Sequence, residues 1–170
     1  EDSSNQARME GIRFGPRGHG ANLEEAYMQA RAAGFPAEVK RRIMIGAFAL
    51  SHGYYDAYYK KAQQVRTWMM RDFEEVYNKV DVILAPTTPG PAFRIGEKVN
   101  DPLAMYKEDV FVIPAAVAGL PAVSVPGGFV NNLPVGIQLI GPRLTEDLIL
   151  RVGYHFEQAT GYGRRTPSSS

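Results

Sequence analysis

Two charged residues, Arg42 and Asp109, lie beside apolar runs and are of the side-chain types that bind a free amino acid. Arg42 ends a run of three basic residues, yet helical spacing places it close to the apolar face that contains Val39 and Ile43. Asp109 directly precedes the apolar residues 110–113. A guanidinium can hold a carboxylate through two parallel hydrogen bonds, and an aspartate accepts from an ammonium group. The pair therefore suggests a site for the two charged ends of an amino acid.

Three other interpretations of these residues stay open. Arginines on helices usually keep their charged ends in solvent. Asp109 could cap the turn that follows it. The two residues could also form a buried ion pair with each other.

Metal and phosphate sites are not supported by the residue types and their spacing. The chain has no cysteine, which excludes a disulfide framework, a thiolate zinc site, an iron–sulfur cluster and a cysteine nucleophile. His19, His52 and His155 lie far apart, with no second ligand at zinc spacing, so we expect no metal site. The glycine-rich residues 15–20 lack the lysine and hydroxyl residue of a phosphate loop and are interpreted as a flexible surface loop.

No hydroxyl side chain is placed beside a base as a serine hydrolase requires. Ser51 and His52 are adjacent, and neighbouring residues of a helix point about 100° apart. Ser124 falls inside a predicted strand, and the chain has no Gly-x-Ser-x-Gly sequence. We therefore predict no catalytic residue in this chain.

The composition is that of an ordinary globular protein. The chain has 170 residues with 19 Lys and Arg, 18 Asp and Glu, and 45% hydrophobic residues. The even charge excludes a protein that binds nucleic acid mainly through its net charge. The longest apolar runs fall well short of the roughly 20 residues of a membrane-spanning helix. The lack of cysteine fits a reducing compartment without requiring one.

Helical patterns fill the first half of the chain. Asn22 and Glu25 predict a capping box for a helix over residues 23–33. Pro36 suits the first turn of a second helix that ends near Gly53. Apolar residues spaced by three and four predict one long helix over residues 54–79.

The second half mixes short strands and helices. Apolar runs predict strands at residues 82–85, 122–125 and 135–140, the last two forming a hairpin through residues 126–128 and 131–134. Short helices are predicted at residues 102–106 and 113–119, and a longer one after Thr145. This pattern indicates an α/β or α+β architecture. Because so few strands leave open edges, we expect neighbouring strands to come from sequence not present here, and residues 164–170 to form a disordered tail.

Several stretches, in the same order along the chain, resemble the amidase-signature family. The Lys-Arg-Arg-Ile run and the Tyr-rich run look like the members of that family that work in tRNA-dependent amidotransferases, whereas the Ala-Gly-Leu-Pro run is shared more widely. The stretches that carry the resemblance are residues 3–15, 38–43, 51–63, 81–87, 101–106 and 118–126.

The resemblance implies an α/β fold in which helices cover both faces of a mixed sheet. Residues 1–163 would form the C-terminal portion of an amidase domain. The family's catalytic serine, its second serine in a cis peptide and its lysine would lie upstream of this chain. We therefore assign none of these roles to Ser3, Ser4, Lys60 or Lys61, which are not in that motif.

The resemblance also implies roles for the charged pair. Arg42 matches the family residue that binds the α-carboxylate of glutamine, and Asp109 matches the one that receives the α-ammonium. One departure is Gly127, where such proteins carry cysteine.

The activity that the resemblance implies is hydrolysis of glutamine through an acyl-enzyme. The released ammonia would pass to another subunit of a cytoplasmic amidotransferase. That partner would use ATP and Mg²⁺ to convert Glu-tRNA(Gln) into Gln-tRNA(Gln), so this chain would hold no cofactor itself.

Two alternatives remain beside this function. The chain could belong to another amidase-signature hydrolase that acts on a neutral amide. It could also be a non-catalytic helical interaction module that uses the helix predicted at residues 54–79.

Overall fold

The structure is a computed structural model that describes residues 2–166 and divides into two compact units. The first covers residues 1–64 and is helical. The second covers residues 65–170 and contains the sheet. The helix α4 (Lys61–Tyr77) crosses the boundary between them.

The first unit contains three α-helices and a π-helical turn. They are α1 (Asp2–Gln6), α2 (Leu23–Gly34), α3 (Ala37–Ala49) and the turn Tyr55–Lys60. The Asn22 side chain accepts a hydrogen bond from the backbone N–H of Glu25 at 2.9 Å, as predicted. The Glu25 carboxylate reaches the N–H of Ala21 at 2.9 Å, so the cap is a variant of the usual box.

The helix α3 ends at Ala49, four residues before the predicted end at Gly53. Both the backbone N–H and the hydroxyl of Ser51 donate to the Phe48 carbonyl, at 3.0 and 2.7 Å. A serine that bonds a nearby carbonyl competes with the regular helical pattern. Gly53 then turns the chain with φ of +86°.

The predicted long helix over residues 54–79 is helical from Tyr55 to Tyr77, but it is not α-helical throughout. Its first part is the π-helical turn, and α4 follows only from Lys61. Aromatic rings pack just before and within this turn, with centroid distances of 4.3 Å for Phe48 and Tyr54 and 4.9 Å for Tyr55 and Tyr59. A π-turn inserts one residue into the helix.

The glycine-rich segment packs closely against α2. A Cβ atom on Gly18 would lie 2.0 Å from the carbonyl oxygen of Ala26, and one on Gly20 would lie 2.5 Å from the Glu25 Cβ. These positions need glycine because the backbone approaches the helix, which the interpretation as a flexible surface loop did not anticipate.

The second unit contains a three-stranded antiparallel sheet with the strand order β1-β3-β2. The strands are β1 (Ile83–Pro86), β2 (Ala122–Val130) and β3 (Leu133–Ile140). Its helices are α5 (Pro102–Lys107), α6 (Ile113–Ala118) and α7 (Glu146–Thr160), and a 3₁₀ turn covers Tyr162–Arg164. The predicted tail begins within this turn, and its residues 167–170 lie outside the described part of the chain.

The predicted hairpin is present, but β2 is five residues longer than expected. Residues 126–128, predicted as part of the connection, belong to the strand and contain a β-bulge between Pro126 and Gly128. The turn itself is formed by Asn131 and Asn132, which have φ of 49° and 64°. Two residues with positive φ match the right-handed twist of a tight hairpin.

Helix α7 covers one face of the sheet and contacts both β2 and β3. Gly153 permits this packing, because a Cβ there would lie 3.1 Å from Val125 and 3.4 Å from Leu139. The core under α7 contains Val125, Leu139 and Ile149, all buried. Because side chains alternate along a strand, Gln138 points to the opposite face.

Among the described residues, no helix has the length and hydropathy needed to cross a bilayer.

Candidate functional site

Arg42 lies on α3 with its side chain 50% exposed. Its Nε donates to the Glu38 carboxylate at 3.1 Å, and Arg41 Nη1 donates to the other oxygen of the same carboxylate at 3.0 Å. An acid that precedes a base by four residues is the favourable orientation for a pair on a helix. The guanidinium therefore already binds a carboxylate through the chemistry that a substrate carboxylate would use.

Asp109 lies half-buried in the turn between α5 and α6. Its backbone carbonyl accepts from the N–H groups of Val112 and Ile113, at 3.1 and 3.0 Å. Helix α6 has no side-chain hydrogen bond at its N-cap, so Asp109 supports this helix through its backbone. The support that the structure shows for α6 comes from the Asp109 carbonyl.

The residue before Asp109 is anchored from another part of the unit. The Glu108 carboxylate pairs with the Lys98 ammonium, and both side chains are only about one-fifth exposed. Lys98 also lies over the Phe93 ring, 4.3 Å from its centroid. Asp109 therefore follows a residue that is held in place.

Gln138 is a polar residue of this region that the sequence analysis did not single out. It lies on β3 with 2% of its surface exposed. Its side-chain Nε2 donates to the carbonyl of Phe111 at 2.7 Å and to that of Pro86 at 3.0 Å. The signal in the sequence is a lone polar residue in an apolar strand, since a buried amide needs partners.

A cavity of about 390 Å³ lies beside the turn that starts at Asp109. Its polar lining comes from Gln138, Thr87 and Ser124, and the last two hydroxyl oxygens are 2.8 Å apart. Val112 and residues of α6 form the apolar wall. The cavity can accept a small group with both polar and apolar parts.

The two predicted binding residues belong to different units of the structure. Arg42 is in the first unit and Asp109 in the second. Their joint binding of one ligand stays a prediction.

The hydroxyls and lysines considered above have other partners. Ser51 donates to Phe48, and Lys60 pairs with Asp56 at 3.4 Å on an exposed turn. Thr87 and Ser124 bond to each other. Within residues 2–166, no group of three or more histidine, aspartate and glutamate side chains is placed to hold a metal ion.

The sequence matches known proteins over nearly its whole length. A model of the Amidase family matches residues 1–150. The A subunit of glutamyl-tRNA(Gln) amidotransferase from Geobacillus sp. (strain WCH70) is 59% identical over 169 residues, which are 99% of this chain and 35% of that protein. The same protein from Geobacillus thermodenitrificans (strain NG80-2) is 58% identical over 168 residues, or 98% of this chain and 35% of that one. The chain thus spans about a third of the length of these relatives.

Solved structures agree with this match. The crystal structure of the A subunit of glutamyl-tRNA(Gln) amidotransferase from Thermotoga maritima has a TM-score of 0.62 and 50% identity, over 82% of this chain and 30% of that one. A bacterial aryl acylamidase of the amidase-signature enzymes has a TM-score of 0.63 and 24% identity, over 96% of this chain and 32% of that one. The second likeness concerns the fold alone. The predicted α/β class is confirmed, with the described strands all antiparallel.

Proposed function

The chain belongs to the amidase-signature family, and from that premise we propose that it is part of the glutamine-hydrolysing subunit of a glutamyl-tRNA(Gln) amidotransferase. The observation that carries the proposal is the 59% identity to the Geobacillus sp. amidotransferase protein over 99% of this chain. The likeness to the solved Thermotoga maritima protein, at 50% identity, supports it.

In this function Arg42 binds the α-carboxylate of glutamine. A guanidinium gives a bidentate, always charged donor for that group. The ion pair with Glu38 lies at an exposed site, where such pairs contribute about 0–1 kcal/mol. A substrate carboxylate can therefore replace Glu38 as the partner at little cost.

Asp109 receives the α-ammonium of the same glutamine. Its backbone is held by the turn into α6, through the bonds from Val112 and Ile113 to its carbonyl. The two charged ends are thereby oriented so that the side-chain amide faces a nucleophile supplied by another part of the enzyme. Arg42 and Asp109 position the substrate and perform no bond chemistry.

The ammonia passes to the partner subunit in the cytoplasm, where it converts Glu-tRNA(Gln) into Gln-tRNA(Gln). We assign no cofactor to this chain, and we assign ATP and Mg²⁺ to the partner. The net charge of +1 agrees with tRNA binding mainly through the partner.

Replacement of Arg42 in the intact enzyme tests this proposal. We expect Arg42→Ala to raise the KM for glutamine about 10- to 150-fold, because hydrogen bonds to a charged group contribute about 1.5–3 kcal/mol. The reaction driven by added ammonia does not use the glutamine site and should keep its rate. Steady-state kinetics with the two nitrogen donors measures both effects.

The neighbouring arginine is a matched control. Arg41 is equally exposed and bonds the same Glu38 carboxylate, so Arg41→Ala should leave the KM for glutamine near its original value. Equal loss with glutamine and ammonia, or equal effects of the two substitutions, would show that Arg42 does not bind glutamine. Activity retained on amides without α-amino and α-carboxyl groups would favour a hydrolase of neutral amides instead.

A further inference from the structure

Gln138 is the most deeply buried polar side chain of the sheet, with 2% exposure on the central strand β3. Its neighbours Leu139 and Ile140 belong to the apolar core. A buried amide is unfavourable unless its hydrogen bonds are made, so this position has a structural reason to be polar.

Both N–H groups of the Gln138 amide are directed at backbone carbonyls. The distances from Nε2 are 2.7 Å to Phe111 and 3.0 Å to Pro86. Both partners are carbonyl oxygens and can only accept, so the amide must present its NH₂ end to them. The side chain thereby joins the end of β1 to the turn that precedes α6.

The bond to Phe111 bears directly on Asp109, two residues earlier. The carbonyl of Asp109 accepts from Val112 and Ile113, so residues 109–113 form one hydrogen-bonded turn. Gln138 ties the middle of that turn to the sheet. The ion pair between Glu108 and Lys98 holds the residue that directly precedes Asp109.

We propose that Gln138 is a positioning residue for Asp109: it fixes the turn so that the carboxylate is held where the α-ammonium of glutamine arrives. In this arrangement Gln138 acts through its hydrogen bond to the Phe111 carbonyl. The inference rests on the proposed function, in which Asp109 binds glutamine. In this way a buried amide controls how the α-ammonium end of glutamine is oriented.

The test is Gln138→Met in the intact enzyme, because methionine keeps the length of the side chain and removes both donors. We expect the KM for glutamine to rise about 10- to 100-fold, the loss that follows when a hydrogen bond to a charged group is weakened. The reaction with added ammonia bypasses the site and reports whether the complex is intact.

Leu139→Ala is the matched control for a purely structural effect. Leu139 is the next residue of the same strand and faces α7 instead of the turn. It should lower the thermal stability of the enzyme and leave the KM for glutamine within about twofold, because it does not touch the turn of Asp109. If the two variants raise that KM alike, Gln138 acts only through stability and the positioning role is wrong.

A second variant keeps the test decisive if Gln138→Met does not fold. In Gln138→Glu the protonated carboxyl can donate one hydrogen bond to the Phe111 carbonyl, whereas the ionised form donates none and repels it. Its KM for glutamine should therefore rise with pH, relative to the wild-type enzyme at each pH. A KM that keeps the wild-type pH dependence would overturn the proposal.

Asp109→Asn separates the failure of this inference from that of the proposed function. If Asp109→Asn leaves the KM for glutamine unchanged, Asp109 does not bind the ammonium and both fail. If Asp109→Asn raises it and Gln138→Met does not, only the positioning role is wrong. If both raise it, the double variant should be no worse than Asp109→Asn alone by more than about twofold, because the two residues act through one contact.

Discussion

The Glu38 carboxylate is shared by two guanidinium groups on one helix, those of Arg41 and Arg42. Both arginines are half exposed, so each pair is screened by solvent. The shared carboxylate still orients the Arg42 side chain along the helix. The Arg42 side chain is thus aligned before any ligand arrives.

Tyr77 is a second residue whose surroundings have a measurable consequence. Its hydroxyl is buried and has no hydrogen-bond partner among the described residues. Burial raises its pKa to about 12 from the ordinary 10, because the charged phenolate loses contact with water.

Because the pKa of Tyr77 is raised in the folded protein, we predict that the protein loses stability in alkali. Tyr77→Phe should reduce this loss. Between pH 10 and 12 the unfolded chain releases the Tyr77 proton and the folded chain keeps it. The free energy of unfolding therefore falls as the pH rises through this window, and the contribution is fully present below pH 10. Urea unfolding at pH 9 and pH 11.5 should show a smaller fall for Tyr77→Phe than for the wild type.

The exposed Tyr154, on α7, provides the control for this measurement. Tyr154→Phe should keep the wild-type fall between the two pH values. Near neutral pH, Tyr77→Phe should be equal to the wild type or more stable by about 1 kcal/mol, because it removes an unsatisfied hydroxyl. A Tyr77→Phe variant that loses stability in alkali as the wild type does would contradict the raised pKa.

The sequence indicated Arg42 and Asp109 as individual residues but not their surroundings. Charge type and apolar neighbours are local properties and can be read from the chain. The partners of Gln138, in contrast, lie 27 and 52 positions away, so only the folded sheet brings them together. The orphan hydroxyl of Tyr77 is equally a result of tertiary packing.

The bulge in β2 shows how a strand can include residues typical of a turn. Residues 126–128 contain a proline and two glycines, yet β2 passes through them. Pro126 is tolerated because β2 lies at an edge of the described sheet, where a missing N–H breaks no ladder. Gly128 adopts φ of +127°, which accommodates the bulge.

The C-terminal end of α6 leads to a prediction about stability. Gly119 ends α6 with φ of +70°, a conformation that costs residues with a Cβ about 1 kcal/mol or more. Gly119→Ala should lower the free energy of unfolding by about that amount, as measured by urea denaturation.

Gly90→Ala is the matched control within the same unit. Gly90 does not have a positive φ, and a Cβ there would meet no atom within 4 Å. Its replacement should change the stability by less than about 0.5 kcal/mol. Similar losses for both variants would mean that the left-handed conformation of Gly119 is not the cause.

Helices were predictable from the sequence in their cores and less so at their ends. The cap at Asn22 uses neighbouring residues and was predicted with its partner, Glu25. The early end of α3 depends on a hydroxyl of Ser51 that turns back on the helix. The π-turn at Tyr55–Lys60 is defined by its backbone hydrogen bonds, which a pattern of apolar residues over six positions does not specify.

Across the whole chain, many large apolar side chains are exposed, among them Met44 at 72% and Leu84 at 61%. Among the described strands, β1 and β2 each pair on one side only, with β3. Surface of this kind is typical of faces that contact further protein. Such exposed surface is consistent with the greater length of the relatives, of which this chain spans about a third.

The 170-residue chain alone should not release ammonia from glutamine. In its described residues, the hydroxyl of Ser51 donates to the Phe48 carbonyl, and those of Thr87 and Ser124 bond to each other. A coupled assay for ammonia, with the intact enzyme as the positive control, measures this directly. Steady release from the purified chain would mean that it contains its own nucleophile.

The strand order β1-β3-β2 also constrains when this sheet can form during synthesis. Pro86 pairs with Ile137, which the ribosome adds 51 residues later. At roughly 5–20 residues per second, β1 waits about 3–10 s for its described partner. During that interval β1 lacks its described partner strand, and Gln138 then completes the contact between the early and the late parts of the polypeptide.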